Sequence, residues 1–329
     1  MKSGKERDKK RSRMKTGTEQ DTIVVFDAGA RNGFREIPQL HSRTALHCFE
    51  PEPGSFSELQ KMYAEHDFRS VRLSSSALSA RPGKALLHRA KNAGMSSLLE
   101  ANPESYDRNF SLIEGGENWK NSILPVDSIE ITCTTIDAYM EQEKPGRIDF
   151  LKLDTQGTEL FILQGAIETI RRKKISVIKT EVMLTDIYKG QCFFSDIDIF
   201  LRGQGYQLVD CDFYTDVKAR DLVVSSKNRV REKPKSGPSG DAFYVLNFAG
   251  YEAPGKQVLH AAEILAALGF YSNAAHLYRS LPGKTEAGAL DFVRPFAQQS
   301  FGKRTRQFIK KFIPPVFRQW YRQLKKTNR

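Results

Sequence analysis

Apolar positions along this chain follow two periods. Short runs rich in β-branched and aromatic residues recur from Thr22 onward, at Ile23–Phe26, Ala45–Phe49, Phe68–Leu73, Ile148–Leu153, Ile175–Thr180, Gln207–Val209 and Phe243–Leu246. Runs of this length and composition predict strands. Between them lie stretches with helical spacing, of which Glu159–Ile170 is the clearest: Leu160, Leu163, Ala166, Ile167 and Ile170 form one apolar stripe. Strands alternating with helices predict an α/β protein, its mainly parallel sheet covered on both faces.

The ends break this rhythm. Residues 1–20 carry Lys, Arg, Ser, Gly and Thr with scarcely an apolar side chain, so a disordered basic tail is expected there. Beyond Tyr251 the pattern turns helical. Val258–Leu268, a Gly269–Ser272 turn and Asn273–Leu281 predict a hairpin whose Gly269, Tyr271, Ala274 and Tyr278 spacing resembles one tetratricopeptide unit. A single unit cannot stack on itself, so it reads as a packing appendage. The expected organisation is a tail at 1–20, an α/β domain at 21–250 and a helical extension at 251–329. Ser225–Gly240, rich in Lys, Arg, Pro and Gly, predicts an exposed loop before the last strand.

The formal charge of +12 would favour a polyanionic partner if it were spread over one face. Much of it sits at the ends instead, in Lys2–Lys15 and in Val293–Arg329, which holds no Asp or Glu. Cys48, Cys133, Cys192 and Cys211 form no CxxC pair, which argues against structural zinc and fits reduced thiols in a cytoplasmic protein. No leader-like apolar stretch follows the basic N-terminus, and no run is long enough to span a bilayer.

Three motifs carry chemistry. Asp27-Ala28-Gly29-Ala30-Arg31-Asn32-Gly33 directly follows a strand; its glycines permit a sharp turn and close approach of a ligand, and a plain strand-to-helix turn is the alternative. Glu50 ends the next strand, about twenty residues on, where a carboxylate reaches ribose hydroxyls. Asp154, in Leu153-Asp154-Thr155-Gln156-Gly157-Thr158-Glu159, stands at the carboxyl end of a central strand, placed to serve in a site or to cap the next helix. Glu181 ends the following strand, so Asp154 and Glu181 are expected to face one cleft.

Together with Ser96-Ser97-Leu98, Thr134-Thr135-Ile136-Asp137 and Asp241-Ala242-Phe243, these motifs resemble the FkbM-type methyltransferase family between residues 22 and 248. The resemblance implies a Rossmann-like class I sheet of seven strands with the last antiparallel, S-adenosylmethionine as cofactor, and O-methylation. By position it puts Gly29 and Gly33 beside the methionine moiety, Glu50 on the ribose and Ser76 or Ala77 on the adenine, with Asp27, Asn32 and Asp154 also among the expected cofactor-binding residues. Arg31 stands where the family often has Asn, and Thr155-Gln156 where Val-Glu is commoner.

A sugar hydroxyl must lose its proton, and a carboxylate in reach is the expected base, Asp154 first and Glu181 second. In an alternative, the pair holds a divalent cation that acidifies the hydroxyl. The histidines lack metal-binding spacing, and His47 is expected to pack. Phe308, Ile309, Phe312, Ile313, Val316, Phe317, Trp320, Tyr321 and Leu324 recur at helical spacing among Arg and Lys, a basic amphipathic pattern that either packs on the domain or lies on an anionic membrane from the cytoplasmic side. The expected acceptor is a small-molecule or lipid-linked saccharide. Competing readings are an RNA ribose methyltransferase, suggested by Lys152, Asp154, Lys179 and Glu181 but lacking an aromatic platform, and a non-catalytic scaffold. The absence of GxGxxG disfavours a nicotinamide oxidoreductase.

Overall fold

The computed structural model of the protein describes residues 21–105, 116–213 and 237–298. The basic N-terminal run, most of the Ser225–Gly240 loop and the amphipathic C-terminal segment lie outside the described residues.

Seven strands form the main sheet: β1 (Ile23–Ala28), β2 (Thr44–Phe49), β3 (Ser70–Ser74), β7 (Ile148–Leu153), β8 (Ile175–Met183), β9 (Tyr206–Phe213) and β10 (Ser239–Leu246), in the order β3-β2-β1-β7-β8-β10-β9. All neighbours run parallel except β10, antiparallel to both β8 and β9. This is the α/β architecture the alternation predicts, and every expected strand is present. The chain order reverses at β1, so the connections after β1 and β7 leave a crevice at the carboxyl edge, where open α/β sheets bind ligands.

Both faces are buried because β1, β7 and β8 are apolar on either side. Phe26, Leu151, Leu153 and Ile178 pack against Ile136 and Tyr139 of α3 (Ile136–Glu143), Ile162 and Leu163 of α4 (Glu159–Gln164) and Leu201 of α6 (Phe194–Gly203). The opposite face, with Val25, Phe150 and Val177, meets Leu59 of α1 (Pro53–Met62) and Ala261, Ile264 and Leu265 of α7 (Gly255–Leu268). Thus α7 shares the sheet's core. Polar ties fasten it: Arg43 donates to both carboxylate oxygens of Glu263 (2.7 and 3.0 Å), and His260 Nδ1 lies 3.3 Å from the fully buried Asp149. With α8 (Tyr271–Arg279) it makes the expected hairpin, the left-handed Gly269 ending α7, and residues 286–298 add another helix.

A feature without forecast is a three-stranded sheet between β3 and α3: β4 (Ala77–Leu78), β5 (Gly83–Ala90) and β6 (Pro125–Thr134), in the order β4-β6-β5. Its signal was present in Ile129, Ile131 and Cys133, which alternate with Glu130, Thr132 and Thr134. Arg89 of β5 reaches Glu52 Oε1 at 3.4 Å, and Glu52 caps α1 by accepting from Ser55 N–H at 2.6 Å, so this sheet hangs over the carboxyl edge of the main one. The remaining motif residues have structural tasks. Thr135 caps α3, while Asp137 accepts from the N–H groups of Glu168 and Thr169 and so caps α5 (Ile167–Arg171).

Candidate active site

The crevice is an open cleft between the carboxyl edge of the main sheet and the overhanging small sheet. Gly29, Arg31 and Asn32 of the first turn, Glu50 to Glu52 after β2, and Asp154 to Gln156 with Thr158 after β7 line one side. Ala77, Leu78, Leu87, Ala93, Gly94 and Ser96 to Leu98 line the other. Phe49, Ala77, Leu78 and Leu87 give the cleft an apolar wall.

The expected residues separate into groups. Gly29, Asn32, Glu50, Ala77 and Asp154 lie in the cleft lining. Asp27, Gly33, Ser76 and Glu181 are not among the lining residues. The glycines serve the chain's own packing: Gly29 has φ +75°, and a Cβ there would sit 1.9 Å from the Asp154 carbonyl oxygen. At Gly33, with φ +69°, it would sit 2.4 Å from Met62 Sδ. The turn therefore lets β1 and β7 end side by side, which brings Asp154 to the first loop; Asp154 N–H donates to Ala28 O at 3.1 Å. Asp27 turns beneath this edge, 1% exposed, with Lys152 Nζ donating to its Oδ1 at 3.0 Å and Oδ2 unpartnered.

Glu50 is buried in the cleft wall, and its Oε1 accepts from Glu52 N–H at 2.9 Å. Burial pushes its carboxyl up to about 7, although backbone donors and Arg31 pull the other way. Such a desolvated acceptor gains most when a ligand's hydroxyls donate to it.

Asp154 and Glu181 sit at neighbouring strands but in unlike surroundings. The Asp154 side chain is 46% exposed and opens to the cleft, while Glu181 is buried. Burial, together with the charges of Asp154, Glu159 and Asp241, pushes the Glu181 carboxyl well above the usual carboxylate range. Gln156 joins the two: its Nε2 donates to Glu181 Oε2 at 2.8 Å and to Asp154 Oδ1 at 3.3 Å. Lys152 Nζ approaches the other Asp154 oxygen at 3.5 Å. Burial acts to lower the Lys152 pKa, but Asp27, Asp154 and Glu36 outweigh it and keep the ammonium charged. Glu159 is folded into its own loop, accepting from the N–H groups of Thr155 and Gly157.

Sequence reasoning missed Ser97, whose hydroxyl donates to Gln156 O at 2.7 Å, and Tyr188, whose hydroxyl meets Gln156 Oε1 at 3.0 Å. Neither carries a local signal beyond Ser97's place in the Ser-Ser-Leu motif. His47 packs, with Nδ1 2.9 Å from the Tyr139 hydroxyl, and burial and Arg72 push it down to about 4. It lines a groove at the amino edge of the sheet, away from the cleft.

The sequence pattern of the methyltransferase FkbM domain matches residues 27–208, more than half of the chain. The chain belongs to the FkbM methyltransferase family. FkbM-type domains are S-adenosylmethionine-dependent methyltransferases, and the cleft brings together a buried carboxylate, Glu50, the apolar Ala77 and Leu78, and the Gly29–Asn32 turn. Among curated proteins, the 2-O-methyltransferase NoeI of Sinorhizobium fredii is 25% identical over 175 residues, 53% of this chain and 68% of its own length. Among solved structures, a methyltransferase FkbM from Methylobacillus flagellatus is 13% identical, with a TM-score of 0.38 over 68% of this chain. This chain spans 44% of that protein. Magnesium protoporphyrin IX methyltransferase of Synechocystis, with bound S-adenosylmethionine, is 12% identical, with a TM-score of 0.35 over 74% of this chain and 79% of that one. No group of three or more His, Cys, Asp or Glu among the described residues is arranged to hold a metal, so nothing here supports the divalent-cation alternative.

Proposed function

We propose that this FkbM-family chain methylates a hydroxyl group of a sugar, with Asp154 as the base. The observation that carries this reading is the carboxylate of Asp154, open to the same cleft that Glu50 lines. When bound, S-adenosylmethionine supplies an electrophilic methyl group. The chain's residues do the rest. Glu50 and the Gly29–Asn32 turn hold the nucleoside, the overhanging small sheet narrows access of water, and Asp154 takes the acceptor's proton. Glu181, whose carboxyl burial pushes well above the usual carboxylate range, is the second choice. NoeI, by name a 2-O-methyltransferase, supports a hydroxyl acceptor; a saccharide, free or lipid-linked, is the class we favour.

An RNA acceptor has one observation in its favour. Arg69, Arg72, Lys144, Arg147, Arg172, Lys173, Lys174 and Lys256 line the groove at the amino edge of the sheet. That edge is opposite Asp154, so a polyanion seated there would not present a ribose to the cleft. A non-catalytic scaffold is the remaining alternative, and failure to bind S-adenosylmethionine in calorimetry would favour it. The amphipathic segment around Phe308–Leu324 suits peripheral contact with an anionic membrane from the cytoplasmic side. Vesicle flotation of the full chain against one ending at Gln299 tests that contact, and equal lipid recovery removes it.

The decisive experiment incubates the full chain with methyl-labelled S-adenosylmethionine and fractionated extracts of the native cells. Label is expected in a glycan or glycolipid fraction, with Asp154→Asn slowing transfer by about 10²–10⁴-fold while cofactor binding persists. Label confined to RNA, or full turnover by D154N, overturns the respective parts of the proposal.

A further inference from the structure

The loop after β7 contains a backbone contortion that places one neutral side chain. Gln156 has φ +60°, in the left-handed region that a residue with a Cβ adopts at a cost. Its side chain is nonetheless buried, and each end of the carboxamide is engaged. The Tyr188 hydroxyl lies 3.0 Å from Oε1 and 2.9 Å from the Met95 carbonyl oxygen, so its one proton is shared between two acceptors, and Nε2 reaches Glu181 at 2.8 Å and Asp154 at 3.3 Å. The backbone is held as well, by Ser97 at the Gln156 carbonyl. Next to it Gly157, with φ +96°, packs where a Cβ would meet Gln191 and Tyr188 at 3.2 and 3.3 Å.

We infer that Gln156, clamped by Tyr188, is a positioning residue for Asp154. Its amide holds one carboxylate oxygen of Asp154 while Lys152 steadies the other, and it ties Glu181 back from the cleft. Each Asp154 oxygen keeps a lone pair for an acceptor hydroxyl, because a carboxylate has about four acceptor sites and the two pins occupy one each. An acid at position 156 would instead put a further carboxylate against Asp154, Glu159 and Glu181. The inference rests on reading Asp154 as the base, but its geometry can be tested apart from turnover.

The test is a ¹³C-carboxyl NMR titration of the full chain, labelled at aspartate Cγ, with the Asp154 resonance assigned by its loss in D154N. The charged groups around Asp154 are Lys152, Asp27, Glu159, Glu181 and Asp241, and all are kept in the variants. Gln156→Glu, nearly isosteric, is expected to raise the Asp154 midpoint by about one pH unit, since a donor becomes a like charge. Gln156→Ala and Tyr188→Phe are expected to shift it in the same direction by less, through loss of the pin and of its anchor. Cooperative thermal unfolding followed by circular dichroism reports that each variant is folded, and Tyr188→Phe serves should Gln156→Ala fail to fold. An Asp154 midpoint unchanged in Gln156→Glu and Tyr188→Phe overturns the inference. Full turnover by D154N, with the midpoint shifts intact, would overturn the base assignment alone.

Discussion

Replacing Glu50 with glutamine sets the stability of the domain against its affinity for cofactor. The Glu50 carboxyl is held at about 7 against an ordinary 4.5, with burial as the main cause. Below about pH 4.5 the folded and unfolded chains are both protonated at this position, and it costs nothing. As the pH rises toward 7 the unfolded chain gives up the proton while the folded chain keeps it, so stability falls. Above 7 both are ionised and the full cost remains, about 3 kcal/mol at about 1.4 kcal/mol per pH unit. Glutamine keeps an acceptor for Glu52 N–H but has no charge to desolvate. Glu50→Gln is thus expected to match the wild type near pH 4.5 and to melt higher at pH 8, by up to roughly 6–12 °C for a domain of this size. The same change removes a charged acceptor from the proposed ribose position, worth about 1.5–3 kcal/mol, so S-adenosylhomocysteine should bind roughly 10–100-fold more weakly. Melts at pH 4.5 and 8 with calorimetry at pH 8 measure both halves. Glu159, also held at about 7, contributes the same slope to both proteins and cancels in the difference. Unaltered cofactor affinity in the variant would refute the role of Glu50, and a melting difference independent of pH would refute the electrostatic account of its stability.

Two further outcomes follow from the packing around the cleft. Gly29→Ala must place a Cβ on the Asp154 carbonyl in a left-handed conformation; conformational strain of about 1–2 kcal/mol and overpacking of about 1–3 kcal/mol predict a loss of roughly 2–5 kcal/mol in denaturant titration, together with weaker cofactor binding. Lys152→Met leaves Asp27 buried without its partner and should cost about 3–5 kcal/mol, whereas Asp27→Asn combined with Lys152→Met should recover much of it; equal losses in the single and double variants would show that the pair is not coupled.

What the sequence determined by itself was whatever repeats with a local period or sits at a fixed distance from a strand end. The doubly buried runs of β1, β7 and β8, the Gly29–Gly33 turn, Glu50 after β2 and Asp154 after β7 could all be read, because each is specified by neighbours a few residues away. The tertiary structure alone decided what those residues face. Asp27 belongs to Lys152, 125 positions on, rather than to the cleft lining, and Gly29 is held against the Asp154 carbonyl. Glu181 is drawn inward by Gln156, while Asp154, one strand away, is left open. The small sheet that roofs the site, and Tyr188 that anchors Gln156, come from distant segments. Periodicity reports that a side chain is buried, but its partner is chosen by the register and packing of strands that meet only once the sheet has assembled.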